Sequence, residues 1–430
     1  MNHKFIQSFM HFVDESHTAY QTIEECKKQL KEVGYHALPF SKSWNLEYGK
    51  KYYTCPYDTM LFAFAIPESV TQSTRFRIIS SHTDYPCFRI KPNADLYEHG
   101  FHKLNVESYG GAILNTWLDR PLSIAGKVML ASQQAFCPES RIIDFHRPML
   151  SIPNLAIHMN HEVNAGVALN KQIDLMPVIA LGEKGESPSF VEILAKELDV
   201  EADTILDYDL YLYATEKSCL WGANDEFCSA PRLDNLSSVF GQLYALTHLP
   251  EDFQQIAISA FYDNEEVGSK TKQGADSSIT SLFLNKLIQA LSFPRDCASD
   301  LLFESFMLSA DVAHATHPNH REKHDVTNLT KLNQGIVLKL SGTQRYATDT
   351  AAIAILQQLC QKAEIPYQKF VNRSDIPGGS TLGSLTSSWL PMQTVDLGIP
   401  ILAMHSIREM AGVQDIASLC KLFQAFYTEA

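Results

Sequence analysis

The chain has 430 residues, 45% hydrophobic and 20% charged, a composition typical of a globular protein with about two or three domains. Its net charge is −14 without a basic stripe, so nucleic acid and anionic membranes are not expected partners. The nine scattered cysteines argue against a disulfide framework and fit a reducing compartment. The N-terminus lacks a signal-peptide core and the longest apolar run, Met60 to Ile66, is too short to cross a membrane, so we expect a cytoplasmic protein.

The predicted elements begin with helices over residues 5–33, with a break and a cap at Ser16. From residue 59 onward, apolar strands and amphipathic helices alternate, which predicts an α/β fold with a mixed, mostly parallel sheet flanked by helices. Strands are predicted at 256–262, 305–310, 335–340, 367–371 and 393–397, and helices at 235–248, 277–292, 349–363 and 414–428.

The stretch from 93 to 227 has a different pattern, with short β-like pieces broken by turn residues and a loop at 182–190. We therefore expect a discontinuous domain, residues 1–92 and 228–430, interrupted by a β-rich inserted domain, residues 93–227.

Two adjacent carboxylates, Glu265 and Glu266, follow the apolar strand 256–262 and precede a glycine turn. Carboxylates are rarely buried without a partner, and a metal ion is a common one. One glutamate can bind the metal while its neighbour transfers a proton of metal-bound water. For an isolated Glu-Glu pair, a solvated strand end would be the better interpretation.

Similar side chains follow other predicted strands. His82 and Asp84 are two residues apart, so on an extended segment both point the same way, as suits an imidazole ligand held by a carboxylate. Asp234 precedes a helix and is either a plain N-cap or a carboxylate that bridges two metals. Asp311 and His405 each follow an apolar run. Three carboxylates and two imidazoles near carboxyl ends of strands suit two divalent ions sharing one carboxylate.

Several ordered motifs resemble the aspartyl aminopeptidase family, which includes vacuolar aminopeptidase I. They are Ser-His-Thr-Asp at 81–84, Arg-Leu-Asp-Asn at 232–235, Asp-Asn-Glu-Glu-Val-Gly-Ser at 263–269, Ser-Ala-Asp-Val-Ala-His at 309–314, His-Pro-Asn at 317–319 and Met-His-Ser-Ile-Arg-Glu at 404–409. The loop Gly-Gly-Ser-Thr-Leu-Gly-Ser at 378–384 departs from the family, which commonly has Cys-Gly-Ser-Thr followed by Ile-Gly-Pro.

The resemblance implies two zinc ions per subunit, with Co²⁺ or Mn²⁺ as other possible ions. The implied ligands are His82, Asp234 and Asp311 for one ion and Asp234, Glu266 and His405 for the other, with the placement of Asp311 and Glu266 left open. Glu265 is implied as the general base and Asp84 as the partner that orients His82, and the peptide bond after Asp234 is implied to be cis.

The resemblance also implies substrate-side residues, which are His158, His314, His317, Lys339 and Tyr346. His158 would reach the site from the inserted domain of a neighbouring subunit, as a substrate contact or a metal ligand. For Lys339 the alternative is a strand-end lysine on a solvated face. His320 and His324 are interpreted as surface residues because Pro318 argues against a continuous helix.

Together these features indicate a zinc metallo-aminopeptidase that releases single N-terminal residues from peptides, with a lean toward Asp or Glu through Lys339. The resemblance implies a homo-oligomer in which dimers, formed through the inserted domain, assemble into a dodecamer. Two alternatives remain: a dizinc amidohydrolase acting on a non-peptide or N-blocked substrate, and a non-enzymatic scaffold with the same fold.

Overall fold

The computed structural model describes residues 3–293 and 298–429. Within these ranges the α-helices are α1 (His3–Glu15), α2 (Ala19–Glu32), α3 (Phe190–Leu198), α4 (Leu233–Thr247), α5 (Ile279–Ala290), α6 (Ala298–Phe303), α7 (Thr350–Lys362), α8 (Leu382–Trp389) and α9 (Val413–Thr428).

The first strands are β1 (His36–Ala37), β2 (Lys51–Tyr57), β3 (Met60–Ala65), β4 (Phe76–His82), β5 (Cys87–Glu98), β6 (Phe101–Tyr109), β7 (Leu122–Leu130), β8 (Glu139–Asp144), β9 (Val178–Leu181) and β10 (Ile205–Ala214). The later strands are β11 (Cys219–Trp221), β12 (Phe227–Ala230), β13 (Ile256–Tyr262), β14 (Phe306–Ala310), β15 (Ala313–His314), β16 (Ile336–Lys339), β17 (Tyr367–Phe370), β18 (Gln393–Gly398), β19 (Pro400–Leu402) and β20 (Glu409–Gly412). The predicted helices and strands agree with these bounds to within two residues at each end.

The chain divides into two units. The first comprises the residues up to Asp84, Ser218–Met404 and the residues from Glu409 onward, and the second comprises Tyr85–Lys217 and His405–Arg408. The second unit begins and ends earlier in the sequence than the expected insertion over 93–227, and it includes a short segment from near the C-terminus.

A nine-stranded sheet is the largest in the described part of the first unit, with the order β1-β2-β3-β13-β4-β14-β18-β16-β17. Its central strands β13, β4, β14 and β18 are mutually parallel, whereas β3 and β16 run antiparallel to their neighbours in this central group. The predicted mixed, mostly parallel sheet is confirmed. A smaller sheet of the same unit has the order β11-β12-β20-β19-β15.

Helices cover both faces of the large sheet because the central strands are apolar on both faces. On β4, Ile79 packs into a core with α1, α2, α4, α7 and α9, whereas Ile78 packs into a second core with α5. The break between α1 and α2 lies where it was predicted, but the cap is Thr18, whose hydroxyl accepts a 3.2 Å hydrogen bond from the Tyr20 N–H. The prediction that Ser16 caps α2 is therefore wrong.

The second unit is built on an antiparallel sheet with the order β8-β7-β10-β5-β6-β9. It has its own apolar core, in which α3 inserts Phe190 and Leu194. A capping box between Ser189 and Glu192 begins α3 at Phe190, which is the last residue of the loop predicted at 182–190. Among the described residues, no helix combines the length and the apolar character that crossing a membrane requires.

Candidate metal centre

Three neighbouring parallel strands bring the candidate residues of the first unit to one edge of the sheet. β4 lies between β13 and β14, and its terminal His82 pairs in register with Tyr262, the last residue of β13. Glu265 and Glu266 follow β13, and Asp311 follows β14. Side chains far apart in sequence are therefore neighbours at the carboxyl ends of the strands, as in other open α/β sheets.

His82 is the centre of this group and is only 1% exposed. Its Nδ1 lies 3.0 Å from the backbone carbonyl oxygen of Asp84 and 3.4 Å from the Asp84 Oδ1. Its Nε2 lies 3.2 Å from the Asp234 Oδ1 and 3.6 Å from the Asp311 Oδ1. With the Nδ1–H donating to the carbonyl of Asp84, Nε2 is the ring atom that faces two carboxylate oxygens.

Asp84 also fixes the two glutamates. Its Oδ1 accepts a 3.1 Å hydrogen bond from the Glu265 N–H, and its Oδ2 accepts one of 3.1 Å from the Glu266 N–H. One buried carboxylate therefore holds both His82 and the turn after β13. The resemblance implied only the first of these two contacts.

Asp234 lies at a specialised backbone position at the start of α4. The Asp234–Asn235 peptide bond is cis, as the resemblance implied. The Asp234 N–H donates a 2.9 Å hydrogen bond to the Glu409 Oε2, and the Asn235 side-chain amide donates one of 2.8 Å to the Ala310 carbonyl. Asp234 and Asn235 both have non-helical backbone angles, so regular helix begins only after Asn235 and the interpretation of Asp234 as a plain N-cap is wrong.

The pKa values of the buried acidic groups and of His82 indicate that this cluster has too little positive charge of its own. Burial raises the pKa of Glu265 to about 8, and neighbouring carboxylates add to this effect. Burial and the nearby Asp234 raise the pKa of Glu266 well above its ordinary value. Burial alone would lower the pKa of His82, but the surrounding carboxylates raise it well above its ordinary value. The site therefore favours bound positive charge.

These donors fit a divalent cation. One ligand atom from each of His82, Asp234 and Asp311 lies within 4.8 Å of the others, and the same holds for His82, Glu265 and Glu266. Imidazole nitrogen and carboxylate oxygen are typical zinc ligands. A cation between the His82 Nε2 and the facing carboxylate oxygens would supply the charge that a proton supplies otherwise.

Lys339 and Tyr346 lie on the Asp311 side of the group. Lys339 is 3% exposed, and its Nζ donates a 3.2 Å hydrogen bond to the Asp311 Oδ2. The Lys339 Nζ also lies 5.6 Å from the centre of the Tyr346 ring. The alternative interpretation of Lys339 as a solvated strand-end lysine is therefore wrong.

The predicted substrate-side histidines of the first unit lie near β15. His314, at the end of β15, is exposed, and its ring lies 6.1 Å from that of Phe370. The His317 N–H donates a 2.9 Å hydrogen bond to the His324 Nε2. The surface prediction is confirmed for His320, which is exposed, whereas His324 is partly exposed and accepts this bond through its Nε2.

Two predicted residues belong to the second unit. His405 has a left-handed backbone with φ of 67°, and its Nδ1 lies 3.2 Å from the Gly111 carbonyl oxygen. His158 is exposed in a 3-10 turn, Ile157–Met159.

Among the buried carboxylates of the first unit that sequence reasoning missed are those of Glu409, Asp263 and Asp396. Glu409 accepts the Asp234 N–H. Asp263 holds the turn that precedes the glutamates, because its Oδ1 accepts a 2.7 Å hydrogen bond from the Asn264 N–H. Asp396 lies fully buried within β18. The first two lie inside motifs that were already recognised, and a lone aspartate in an apolar strand was the signal for the third.

Comparison with known proteins identifies the class. The family model described as "Aminopeptidase I zinc metalloprotease (M18)" matches residues 12–427. The chain is 43% identical over 427 residues to a probable M18 family aminopeptidase 2 of Clostridium novyi (strain NT), with 99% of this chain and 98% of that protein covered.

Solved structures agree with this match. A chain in the cryo-EM structure of the Ape4 and Nbr1 complex is similar with a TM-score of 0.93 and 33% identity, covering 98% of this chain and 85% of that one. The S. cerevesiae mApe1 dodecamer gives a TM-score of 0.87 and 27% identity, covering 99% and 97%.

The fold and these matches define a zinc metallo-aminopeptidase, a hydrolase of the exopeptidase class. Within that class, the chain belongs to the M18 family. Membership favours the aminopeptidase over both alternatives left open by the sequence, the N-blocked amidohydrolase and the non-enzymatic scaffold.

Proposed function

We propose that this enzyme removes single residues from free peptide N-termini with two zinc ions. One observation carries the proposal: the Nε2 of buried His82 faces the carboxylate oxygens of Asp234 and Asp311 at 3.2 and 3.6 Å. A divalent cation between these buried groups would supply the positive charge that the carboxylates favour. The proposed ligands, including His405 from the resemblance, are His82, Asp234, Glu266, Asp311 and His405.

When bound, the zinc ions would lower the pKa of a water molecule and polarise the scissile carbonyl. Glu265 is the proposed general base, which takes the proton of the attacking water and returns it to the leaving amine. Burial raises the pKa of Glu265 to about 8, and nearby divalent ions would lower that pKa. Asp84 keeps Glu265 in place through the 3.1 Å bond to its N–H.

We further propose a preference for acidic N-terminal residues. Lys339 is a buried cation beside Asp311, and its partner Tyr346 is also buried. A substrate carboxylate would add a further anionic partner to Lys339, whereas a neutral side chain would add none. His314 and His317 are the other proposed substrate contacts of the first unit.

Assembly is part of the proposal. The related S. cerevesiae mApe1 is described as a dodecamer. We propose that this chain also forms dimers through its second unit and then a dodecamer, with His158 reaching a neighbouring subunit's site. A cytoplasmic location and the use of Co²⁺ or Mn²⁺ in place of zinc belong to the same proposal.

The test is a panel of chromogenic amides of Asp, Glu and Leu, each with a free and an acetylated amine. We expect hydrolysis of the free amines only, complete loss with 1,10-phenanthroline, and recovery on adding zinc. Equal hydrolysis of acetylated substrates would instead support the N-blocked amidohydrolase.

A further inference from the structure

Asp396 is a fully buried carboxylate that the proposed mechanism does not use. It lies within β18, between β14 and β16. Val337 pairs with Gly398 and Leu338 with Leu397, so one residue further along this antiparallel register Lys339 lies opposite Asp396. Lys339 therefore faces the carboxylate of Asp396 on the neighbouring strand β18 and that of Asp311 in the segment after β14, and the electrostatic attraction of Asp396 adds to that of Asp311.

The Asp396 carboxylate joins two loops that are distant in sequence. Its Oδ2 accepts a 2.6 Å hydrogen bond from the N–H of Ala347, the residue after Tyr346. Its Oδ1 accepts a 2.5 Å hydrogen bond from the Thr381 hydroxyl. In addition, the Asp396 N–H donates a 2.9 Å hydrogen bond to the Thr348 hydroxyl. The carboxylate is thus held by protein donors on both oxygens.

The second of these segments, residues 378–384, is called here the substrate-side loop, and its last three residues already begin α8. It contacts Asp396 through its backbone as well: a Cβ at Gly383 would lie 2.5 Å from both carboxylate oxygens. Thr381 stands at the N-cap of α8, yet its side chain makes no capping bond because the hydroxyl is turned to Asp396. The loop therefore has no side chain at Gly383 and no capping bond from Thr381, and both positions lie against the Asp396 carboxylate.

We propose that Asp396 is a positioning residue for substrate specificity, which holds Lys339, the Tyr346 segment and the substrate-side loop in one arrangement. The inference rests on the proposed role of Lys339 and Tyr346 in binding substrate. Asp396 itself is buried and acts through these groups rather than by touching the substrate.

The test uses Asp396→Asn, which keeps the shape but removes the charge. An amide presents one acceptor and one donor, so the bond from the Ala347 N–H or the bond from Thr381 is lost. We expect KM for aspartyl and glutamyl amides to rise about tenfold, the effect of one charge-assisted hydrogen bond. We expect kcat, zinc content and KM for the leucyl amide to change by less than about threefold.

Asp415 provides a matched control. It is also fully buried, and its carboxylate accepts hydrogen bonds of 2.6 and 2.8 Å from the N–H groups of Asn333 and Gly335. Asp415→Asn therefore removes a buried carboxylate that holds the backbone at Asn333 and Gly335, in a different loop from the substrate-side loop. It should lower the melting temperature while leaving the ratio of acidic to leucyl KM unchanged.

Hydrogen exchange supplies a readout that does not depend on turnover. Residues 378–384 should exchange faster in metal-loaded Asp396→Asn than in the unaltered enzyme, and Asp415→Asn should leave them unchanged. Should Asp396→Asn not fold, Thr381→Val removes the same hydrogen bond while keeping the side-chain shape, and it should increase exchange of this loop and raise the acidic KM in the same direction.

Equal KM effects on acidic and leucyl substrates, or the same shift in the Asp415 control, would overturn the proposal. An unaltered enzyme that hydrolyses no free-amine substrate would instead overturn the proposed function. The two failures are therefore distinguishable.

Discussion

Replacing Glu265 by Gln separates proton transfer from metal binding. The substitution keeps the side-chain shape and the backbone N–H that donates to the Asp84 Oδ1 at 3.1 Å, but it removes the basic oxygen. General base catalysis contributes roughly 10² to 10⁴ in rate. The expected rise in the activation barrier is therefore about 3–5 kcal/mol, with zinc content and fold unchanged.

The assay combines kcat on a free-amine substrate, zinc content by mass spectrometry and thermal unfolding. Glu266→Gln is the matched control, because the neighbouring glutamate is a proposed ligand and its loss should reduce zinc content together with activity. Near-normal kcat in fully loaded Glu265→Gln would remove Glu265 from the role of base. Loss of zinc from the Glu265 variant would show that it is a ligand instead.

The pH dependence extends the same test. A general base must be ionised to act, so kcat/KM of the unaltered enzyme should rise with pH through the pKa of Glu265 and then level off. In Glu265→Gln this acidic limb should be absent from the residual activity. An identical limb in both proteins would assign it to another group.

Three further outcomes follow from the structure. The pKa of Glu265 is raised from 4.5 to about 8, so the chelated folded state binds protons that the unfolded state has released, and its stability should fall as pH rises between these values. Calorimetry should therefore show a larger difference in melting temperature between metal-loaded and chelated protein at pH 8 than at pH 5. An equal difference at both pH values would contradict this. Lys339→Ala should reduce kcat/KM for acidic substrates about tenfold more than for leucyl substrates, by loss of one ion pair, and an unchanged ratio in the same panel would refute the substrate role. Light scattering should show a particle much larger than a monomer, with low activity in any dissociated fraction and in His158→Ala; a fully active monomer would refute the assembly.

Much of the first unit could be predicted because its strands are apolar runs that end at polar or charged residues. The run Ile256 to Tyr262 is apolar throughout and ends at Asp263, so β13 was predicted without error. The spacing of His82 and Asp84 correctly predicted that they interact, because side chains two apart on an extended segment share a side. Both results rest on local sequence.

Burial of single polar residues was harder to predict. Lys339 ends a run, Ile-Val-Leu-Lys, that is buried at every position. A continuous apolar run predicts a strand covered on both faces, so the pattern already argued against a solvated lysine. The partner of Lys339 could not be predicted, because Asp311 lies 28 residues away and meets it only through the folding of the sheet.

The buried carboxylates of the first unit differ in how much positive charge the protein places beside them. Within the first unit, Asp396 is satisfied by protein donors on both oxygens and by Lys339. At the carboxyl ends of β4, β13 and β14, the buried acidic groups outnumber the cationic side chains His82 and Lys339. The acidic groups at this edge are Asp84, Asp234, Glu265, Glu266 and Asp311. Buried negative charge without sufficient protein cations is unstable unless protons or metal ions are bound. Burial and this excess of negative charge together raise the pKa values of Glu265 and Glu266, and they favour the binding of the divalent cations that we propose for this edge.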